Sequence, residues 1–441
     1  MDGEQALDWI FSRHKFNIRP GLTRIEELLK RLGNPEKNLS MLHFAGTNGK
    51  GSTLAFTAQI LRQTGLTVAT FTSPYIETFG EQIAINGQAL SAEKLIKYVE
   101  RLQPLVDALD QEERYAGITE FEIITALAFQ YFSDEKVDVA LIEVGLGGLL
   151  DSTNVIQPQI TVITTIGLDH KEFLGTSLAE IAAQKAGIIK YETPLVTGNI
   201  VEEALTVIEE TAQKNRAKHY KFGVDYQIER LNKEHFNYRD KHCQLENLEK
   251  SLLGLHQIEN AALALKVSLL YAEESDITLD MSDVRQALRT TFWPARMETI
   301  AQNPLTLLDG AHNTHAIGRL LENLRVKFPD KKITIIFSAL VTKEINEMVE
   351  MLRALKGADL ILTSFDHPQA MDLKDVYYLE KEGVTFAADW REKYEQLKIS
   401  LGADALVVMT GSLYFMAQIR KELLRAEAGA EDKERQMLHM P

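Results

Sequence analysis

Gly46-Thr47-Asn48-Gly49-Lys50-Gly51-Ser52 is the segment of this chain with the clearest chemistry. An apolar run, Met41 to Ala45, precedes it, and a helical pattern, Thr53 to Arg62, follows. Strand, glycine-rich loop and helix together cradle a nucleoside triphosphate. The loop N–H groups face phosphate oxygens, and the helix N-terminus adds positive potential. Lys50 is placed to reach the outer phosphates, and Ser52 to meet a phosphate or its metal. Gly51 stands where the commonest form of the motif has its Ser or Thr. The expected ligand is ATP with magnesium.

Other reactive side chains stand at the ends of apolar runs, where open parallel sheets bind ligands. Ser73, in Thr72-Ser73-Pro74, either ligates magnesium or caps a turn. Glu143 closes the run Val137 to Val144, just before Gly145-Leu146-Gly147-Gly148. A carboxylate there needs a partner. Magnesium, a hard cation that takes oxygen ligands, is one candidate, and a salt bridge to Lys50 is the other. The glycines match a dinucleotide fingerprint poorly, because the third would fall at Leu150. Asp169 and His170 follow a further run, with His170 as metal ligand, base or structural hydrogen-bonder.

Lys185 lies among small and apolar residues, Ile181 to Ile189. By residue pattern it reads as a surface lysine whose stem covers apolar neighbours. The alternative is a buried lysine, whose desolvated amine loses its proton and can take up carbon dioxide as a carbamate. Asp309-Gly310-Ala311-His312-Asn313 follows another apolar run. Asp309 is a candidate for a ribose or an amine, and Arg296 for a phosphate. Each reads equally as a turn residue or a surface ion pair.

Positioning these groups is the work of alternating elements. Strand candidates at 41–45, 67–72, 137–144, 160–165 and 194–197 interleave with helix candidates at 53–64, 91–107, 119–133, 177–187 and 201–214. That alternation predicts an α/β fold with a mainly parallel sheet covered on both faces. Residues 219–250 break the rhythm and read as short antiparallel strands, followed by helices at 256–272 and 281–291. A second series has strands at 305–309, 333–337, 359–363, 384–387 and 404–409 and a last helix at 411–424. Pro294 ends the preceding helix, so the domain boundary is expected near Trp293 to Arg296. The division is 1–296, 297–425 and a charged, disordered tail at 426–441.

The 441 residues carry 48 Lys and Arg against 63 Asp and Glu, a formal charge of −15. That balance argues against a general nucleic-acid surface and against an anionic membrane. The single cysteine, Cys243, allows no intrachain disulfide and fits a reducing cytoplasm. It reads as an inert side chain. No apolar run approaches the ~18 residues of a spanning helix. Met1 to Ile10 carries acids and lacks a signal-peptide pattern.

Taken in order, the motifs resemble the folylpolyglutamate synthase and dihydrofolate synthase family of Mur ligases. The resemblance runs from Gly21-Leu22-Thr23-Arg24 to Thr410-Gly411-Ser412-Leu413-Tyr414. It includes Thr119-Glu120-Phe121-Glu122, Asp151-Ser152-Thr153-Asn154, His256-Gln257 with Asn260, and Trp293-Pro294-Ala295-Arg296. It implies a P-loop ATPase domain and a smaller Rossmann-like domain, closing over an ATP-driven amide synthesis. Gly46, Thr47, Asn48, Gly49, Lys50, Gly51 and Ser52 would hold the phosphates, and Asn260, Arg296 and Asp309 the nucleotide. Ser73 and Glu143 would bind one magnesium ion and His170 a second, supported by a carbamylated Lys185. The pterin-bearing substrate, folate or dihydropteroate, would lie near Arg24, Thr119, Glu120, Phe121, Leu150 and Asp151. His312 would help place L-glutamate. The family is mostly monomeric. Three departures stand out: Gly80-Glu81-Gln82-Ile83 where the family has Asn-Glu-Arg-Ile, Thr314 where proline usually follows Asn313, and a looser match over Ser338 to Glu344. They bear on substrate range more than on reaction class.

Overall fold

β1 (Met41–Ala45) is buried at every position, as an uninterrupted apolar run requires of a strand covered on both faces. The chain continues through β2 (Val68–Phe71), β3 (Ile83–Ile85), β4 (Gln88–Ala89), β5 (Val139–Glu143), β6 (Ile160–Ile163), β7 (Leu195–Thr197) and β8 (His219–Lys221). In space these run β4-β3-β2-β5-β1-β6-β7-β8. The sheet is parallel except at one edge, where β3 turns back antiparallel to β2 and pairs with β4. This computed structural model describes residues 1–16, 18–380, 384–402 and 404–424. The tail expected to be disordered lies outside the described residues.

The register decides what the sheet presents. Phe71 pairs with Ile142, Phe44 with Glu143 and Ala45 with Ile163. The C-terminal tips of β2, β5, β1 and β6 are therefore level and adjacent. Helices enter this end in defined registers. Thr119 and Glu122 form a reciprocal cap at the start of Glu120–Asp134, and Ser177 and Glu180 do so for Leu178–Ala186. Helix Lys50–Arg62 starts earlier than its apolar pattern suggests and has no side-chain cap, so its first N–H groups are left for a ligand.

Two helices near the start, Gly3–Phe11 and Thr23–Arg31, were not legible from the alternation. They bury Ala6, Ile10, Ile25, Leu28 and Leu29 in a core shared with Glu120–Asp134 and Ala92–Asp110. The reading of 219–250 as antiparallel needs correction at its start, because β8 extends the main sheet in parallel beside β7. Only β9 (Tyr226–Arg230), β10 (His235–Asp240) and β11 (Gln244–Glu249) form the separate antiparallel sheet. Cys243 sits in the turn between β10 and β11, and burial pushes its thiol up, in keeping with an inert side chain.

The chain divides into two compact units. One holds Met1–Ser251 and Gln257–Phe292, and the other holds Leu252–His256 and the residues from Trp293 onward. The second unit has its own sheet: β12 (Glu298–Gln302), β13 (Leu305–Asp309), β14 (Lys332–Phe337), β15 (Asp359–Thr363), β16 (Val384–Ala387) and β17 (Ala405–Thr410). Their order is β12-β13-β17-β14-β15-β16, parallel except for β12. Among the described residues no helix is long and apolar enough to cross a membrane.

Candidate active site

The phosphate loop is fastened to the extension of β6. Thr47 N donates to Thr165 O at 2.8 Å, and Thr47 Oγ1 exchanges hydrogen bonds with the backbone of Gly167. Asn48 O accepts from the hydroxyls of Thr164 and Thr165, at 2.7 and 3.0 Å. Two glycines are required by these approaches. Gly46 has φ +151°, and a Cβ there would lie 1.9 Å from Thr164 Oγ1. Gly49 has φ +87°, and its Cβ would lie 2.7 Å from Asn260 Oδ1. Asn260 thus packs on the loop, held by its own bond to Gln257, whose amide reaches buried Ser52 Oγ at 3.3 Å. Thr164 and Thr165 were missed by sequence reasoning, and Gln257 entered only as part of a motif, without a role. The hydroxyl pair at the end of an apolar strand was the available signal.

Lys50 curls back so that Nζ donates to Gly46 O at 3.1 Å and stands 3.8 Å from Glu143 Oε1. Glu143 is 5% exposed. Ser73 follows the adjacent tip of β2 and is half-buried. His170 is exposed, with left-handed backbone at φ +48°, and its N–H donates to Asp169 Oδ1. Among the described residues no three His, Cys, Asp or Glu side chains gather into a self-contained metal cage. One buried carboxylate flanked by a hydroxyl is nevertheless what magnesium carried by phosphates needs, since phosphate and water complete its shell.

Lys185 departs from its residue-level reading as a surface lysine. It is 4% exposed, at the end of helix Leu178–Ala186. Burial, reinforced by the Lys50 charge, lowers its pKa to about 7, against the opposing pull of Asp169 and Asp151. The small neighbours that suggested a surface stem are there because the helix packs tightly on the glycine turn. Leu149 N donates to Gln184 O, and a Cβ on Gly148 would lie 2.7 Å from the same oxygen.

The residues proposed for a pterin gather next to this turn. Gly21 N donates to Leu150 O, joining the Gly21–Arg24 loop to the turn. Leu149 and Leu150 are 45% and 46% exposed. Phe121 stacks on Phe71 and lies so close to Gly145 that a Cβ there would be 2.5 Å from its ring. Arg24 Nε lies 3.0 Å from Glu122 Oε1, and Thr119 donates to Glu122 from both its N–H and its hydroxyl. Glu120 pairs with His14. Buried Glu122, which the sequence reading named in its motif without a role, is therefore the centre that orients Arg24 and Thr119.

The departure at Gly80 has a local cause. A Cβ there would lie 2.4 Å from Leu90 O, so no side chain fits. Gln82 is buried beside it, where a lone cation would be costly.

In the second unit, Arg296, Asp309 and His312 collect at the tip of β13. Asp309 is buried and accepts from Met297 N and Ala311 N, each at 3.0 Å. Burial raises its pKa, and the Arg296 charge opposes that shift. His312 Nδ1 is 2.8 Å from Gly310 O. Asn313 caps helix Thr314–Lys327, so Thr314 occupies the first helical position, where proline is favoured but not needed.

A parallel sheet with a phosphate loop at its tips, joined in one chain to a second parallel α/β unit, defines a two-unit nucleotide-dependent ligase. Family profiles agree. Residues 44–268 match the Mur ligase middle domain, and residues 295–413 match the "Mur ligase, glutamate ligase domain". The chain is 41% identical over 426 residues to the dihydrofolate synthase/folylpolyglutamate synthase of Bacillus subtilis, covering 95% of this chain and 99% of that one. It is 36% identical over 407 residues to the folylpolyglutamate synthase of Lacticaseibacillus casei, covering 91% and 94%. A solved AMPPCP–folate complex of a folylpolyglutamate synthase superposes with a TM-score of 0.84 at 33% identity, over 96% of this chain and all of that chain. The Mycobacterium tuberculosis enzyme with ADP gives 0.87 at 27% identity, over 96% and 98%. The chain belongs to the folylpolyglutamate synthase/dihydrofolate synthase family of Mur ligases.

Proposed function

We propose that this protein is an ATP-dependent ligase that adds L-glutamate to the γ-carboxylate of a folate. The carboxylate oxygen attacks the γ-phosphorus of ATP, ADP leaves and an acyl phosphate forms. The neutral glutamate amine then attacks the acyl carbon, inorganic phosphate leaves and the nitrogen gives up a proton as the amide forms. The observation that carries this reading is the pairing of Lys50, first residue of the helix after the phosphate loop, with buried Glu143 at the tip of β5, 3.8 Å apart. Asn48 to Ser52 hold the triphosphate, and Lys50 offsets the charge that builds when a carboxylate approaches it. Ser73, Glu143 and His170 would hold two magnesium ions, which supply charge neutralisation for anions brought together. Lys185, with a pKa of about 7, is partly neutral at physiological pH and would carry a carbamate that supports the second ion. Arg296 and Asp309 contact the nucleotide, and His312 helps place glutamate. The enzyme acts as a cytoplasmic monomer.

A bifunctional enzyme that also joins glutamate to dihydropteroate is the second reading, favoured by the double activity named for the B. subtilis relative. One assay tests both: ADP release and amide formation, dependent on glutamate, with tetrahydrofolate and dihydropteroate side by side. ADP release without amide product from either would point instead to a phosphotransferase or simple NTPase.

A further inference from the structure

His43 is the one strongly polar side chain in β1. The imidazole is fully buried. Its strand neighbours are Ile142 on β5 and Thr161 on β6. Nε2 lies 2.9 Å from Thr153 Oγ1, and Nδ1 has no hydrogen-bond partner. An aliphatic residue would fill the strand without leaving a bare nitrogen in the core, so the ring's contribution is the bond to Thr153.

The bond has a direction. Thr153 Oγ1 donates its proton to Asp151 Oδ1 at 2.5 Å, and Thr153 N donates to the same oxygen at 3.0 Å. A hydroxyl has one proton, so toward His43 it accepts. The ring is therefore the neutral Nε2–H tautomer. Burial, with the nearby Lys190 charge, lowers the His43 pKa to about 3 and keeps the ring neutral. The other oxygen of Asp151 accepts from Leu146 N at 2.8 Å, inside the glycine turn that follows Glu143. Asn154 Nδ2 fastens the far side of the turn, through Leu149 O and Gly187 O. A continuous chain thus runs from β1 through Thr153 and Asp151 into the turn whose Leu150 carbonyl receives Gly21 N.

We propose that His43 is a positioning residue for the pterin-bearing substrate: by donating to Thr153 it fixes the Asp151 carboxylate and, through it, the turn 145–151 against the Gly21–Arg24 loop. The inference rests on the ligase reading for the identity of the substrate, but the relay itself is a property of the fold.

The test uses the full-length enzyme with His43→Phe, His43→Gln and Thr153→Val. In His43→Phe the KM for tetrahydrofolate or dihydropteroate rises about tenfold, as expected for one lost buried hydrogen bond. In Thr153→Val, which loses the bonds to both His43 and Asp151, it rises at least as much, while the KM for ATP moves less than about twofold in either. His43→Gln, whose Nε2–H reaches the imidazole Nε2 position, restores the pterin KM to within about twofold of wild type. An unchanged pterin KM in a folded variant overturns the proposal, as does a parallel rise of the ATP KM, or failure of the Gln variant to rescue. If His43→Phe does not fold, Thr153→Val tests whether the relay reaches the substrate, and nitrogen-15 NMR tests the His43 donor by itself. Nitrogen-15 NMR of histidine-labelled wild-type protein gives a reading independent of activity. A neutral Nε2–H ring at neutral pH supports the relay. An Nδ1–H tautomer or an imidazolium overturns it, even if neither pterin proves to be the substrate.

Discussion

Lys50 Nζ and Glu143 Oε1 stand 3.8 Å apart, an ion pair longer than a hydrogen bond, between the helix that follows β1 and the tip of β5. Neither side chain closes on the other. Lys50 gives its hydrogen bond to Gly46 O instead. A cation and an anion held at this separation at one sheet end suit a ligand carrying both phosphate and metal: under the proposed function Lys50 would meet the phosphate and Glu143 the metal.

Lys50→Ala removes the only side-chain charge supplied by the phosphate loop. Amide formation is expected to fall by about two to three orders of magnitude, the usual loss for one preorganised charge-stabilising group. Product formation at wild-type rate, followed by chromatography, would refute the phosphate assignment.

Lys185 sits near neutrality because it is buried, so its reactive amine becomes available as pH rises through about 7. At fixed dissolved carbon dioxide, a carbamate carbon signal from carbon-13 label should grow between pH 6 and 8 and be missing from Lys185→Ala. That variant should be slow and partly rescued by small carboxylates. Full activity without rescue removes the carbamate.

Arg24→Ala leaves the Glu122 carboxylate, almost completely buried, without its cation. The expected loss is about 3 kcal/mol of folding stability, together with a raised KM for the pterin substrate. Urea denaturation that places the variant within error of wild type would show that the two hydrogen bonds from Thr119 are sufficient by themselves.

His43 links stability to acid. Its folded pKa of about 3 lies below the ordinary value of 6.5, so the unfolded chain binds the extra proton between these limits. The contribution is whole above 6.5 and is lost as pH falls toward 3. Relative to His43→Gln, wild type should lose about 1.4 kcal/mol per pH unit in that window. Parallel stability profiles for the two proteins would show that the ring is protonated in the fold.

Much of this site was legible because its signals are local. The phosphate loop, the strand-tip hydroxyl and carboxylate, and the helix starts at Thr119 and Ser177 are written in short runs whose geometry follows from glycine freedom, strand burial and capping. The alternation of runs likewise set the α/β class and located ten of the strands to within a few residues. What stayed hidden depends on distance in space. Whether Lys185 faced water or the core was decided by a helix pressed against a glycine turn over thirty residues away, and the pKa followed from that burial. Arg24 pairs with Glu122, and His43 with Thr153, across about a hundred residues of chain, and no local pattern announces either pair. The sequence by itself determined which chemistry the chain can offer, because residue type and backbone propensity are properties of short segments. Only the tertiary structure decided which of those groups are buried, paired or left near neutrality, because desolvation and Coulomb interaction depend on what the fold brings within a few ångströms.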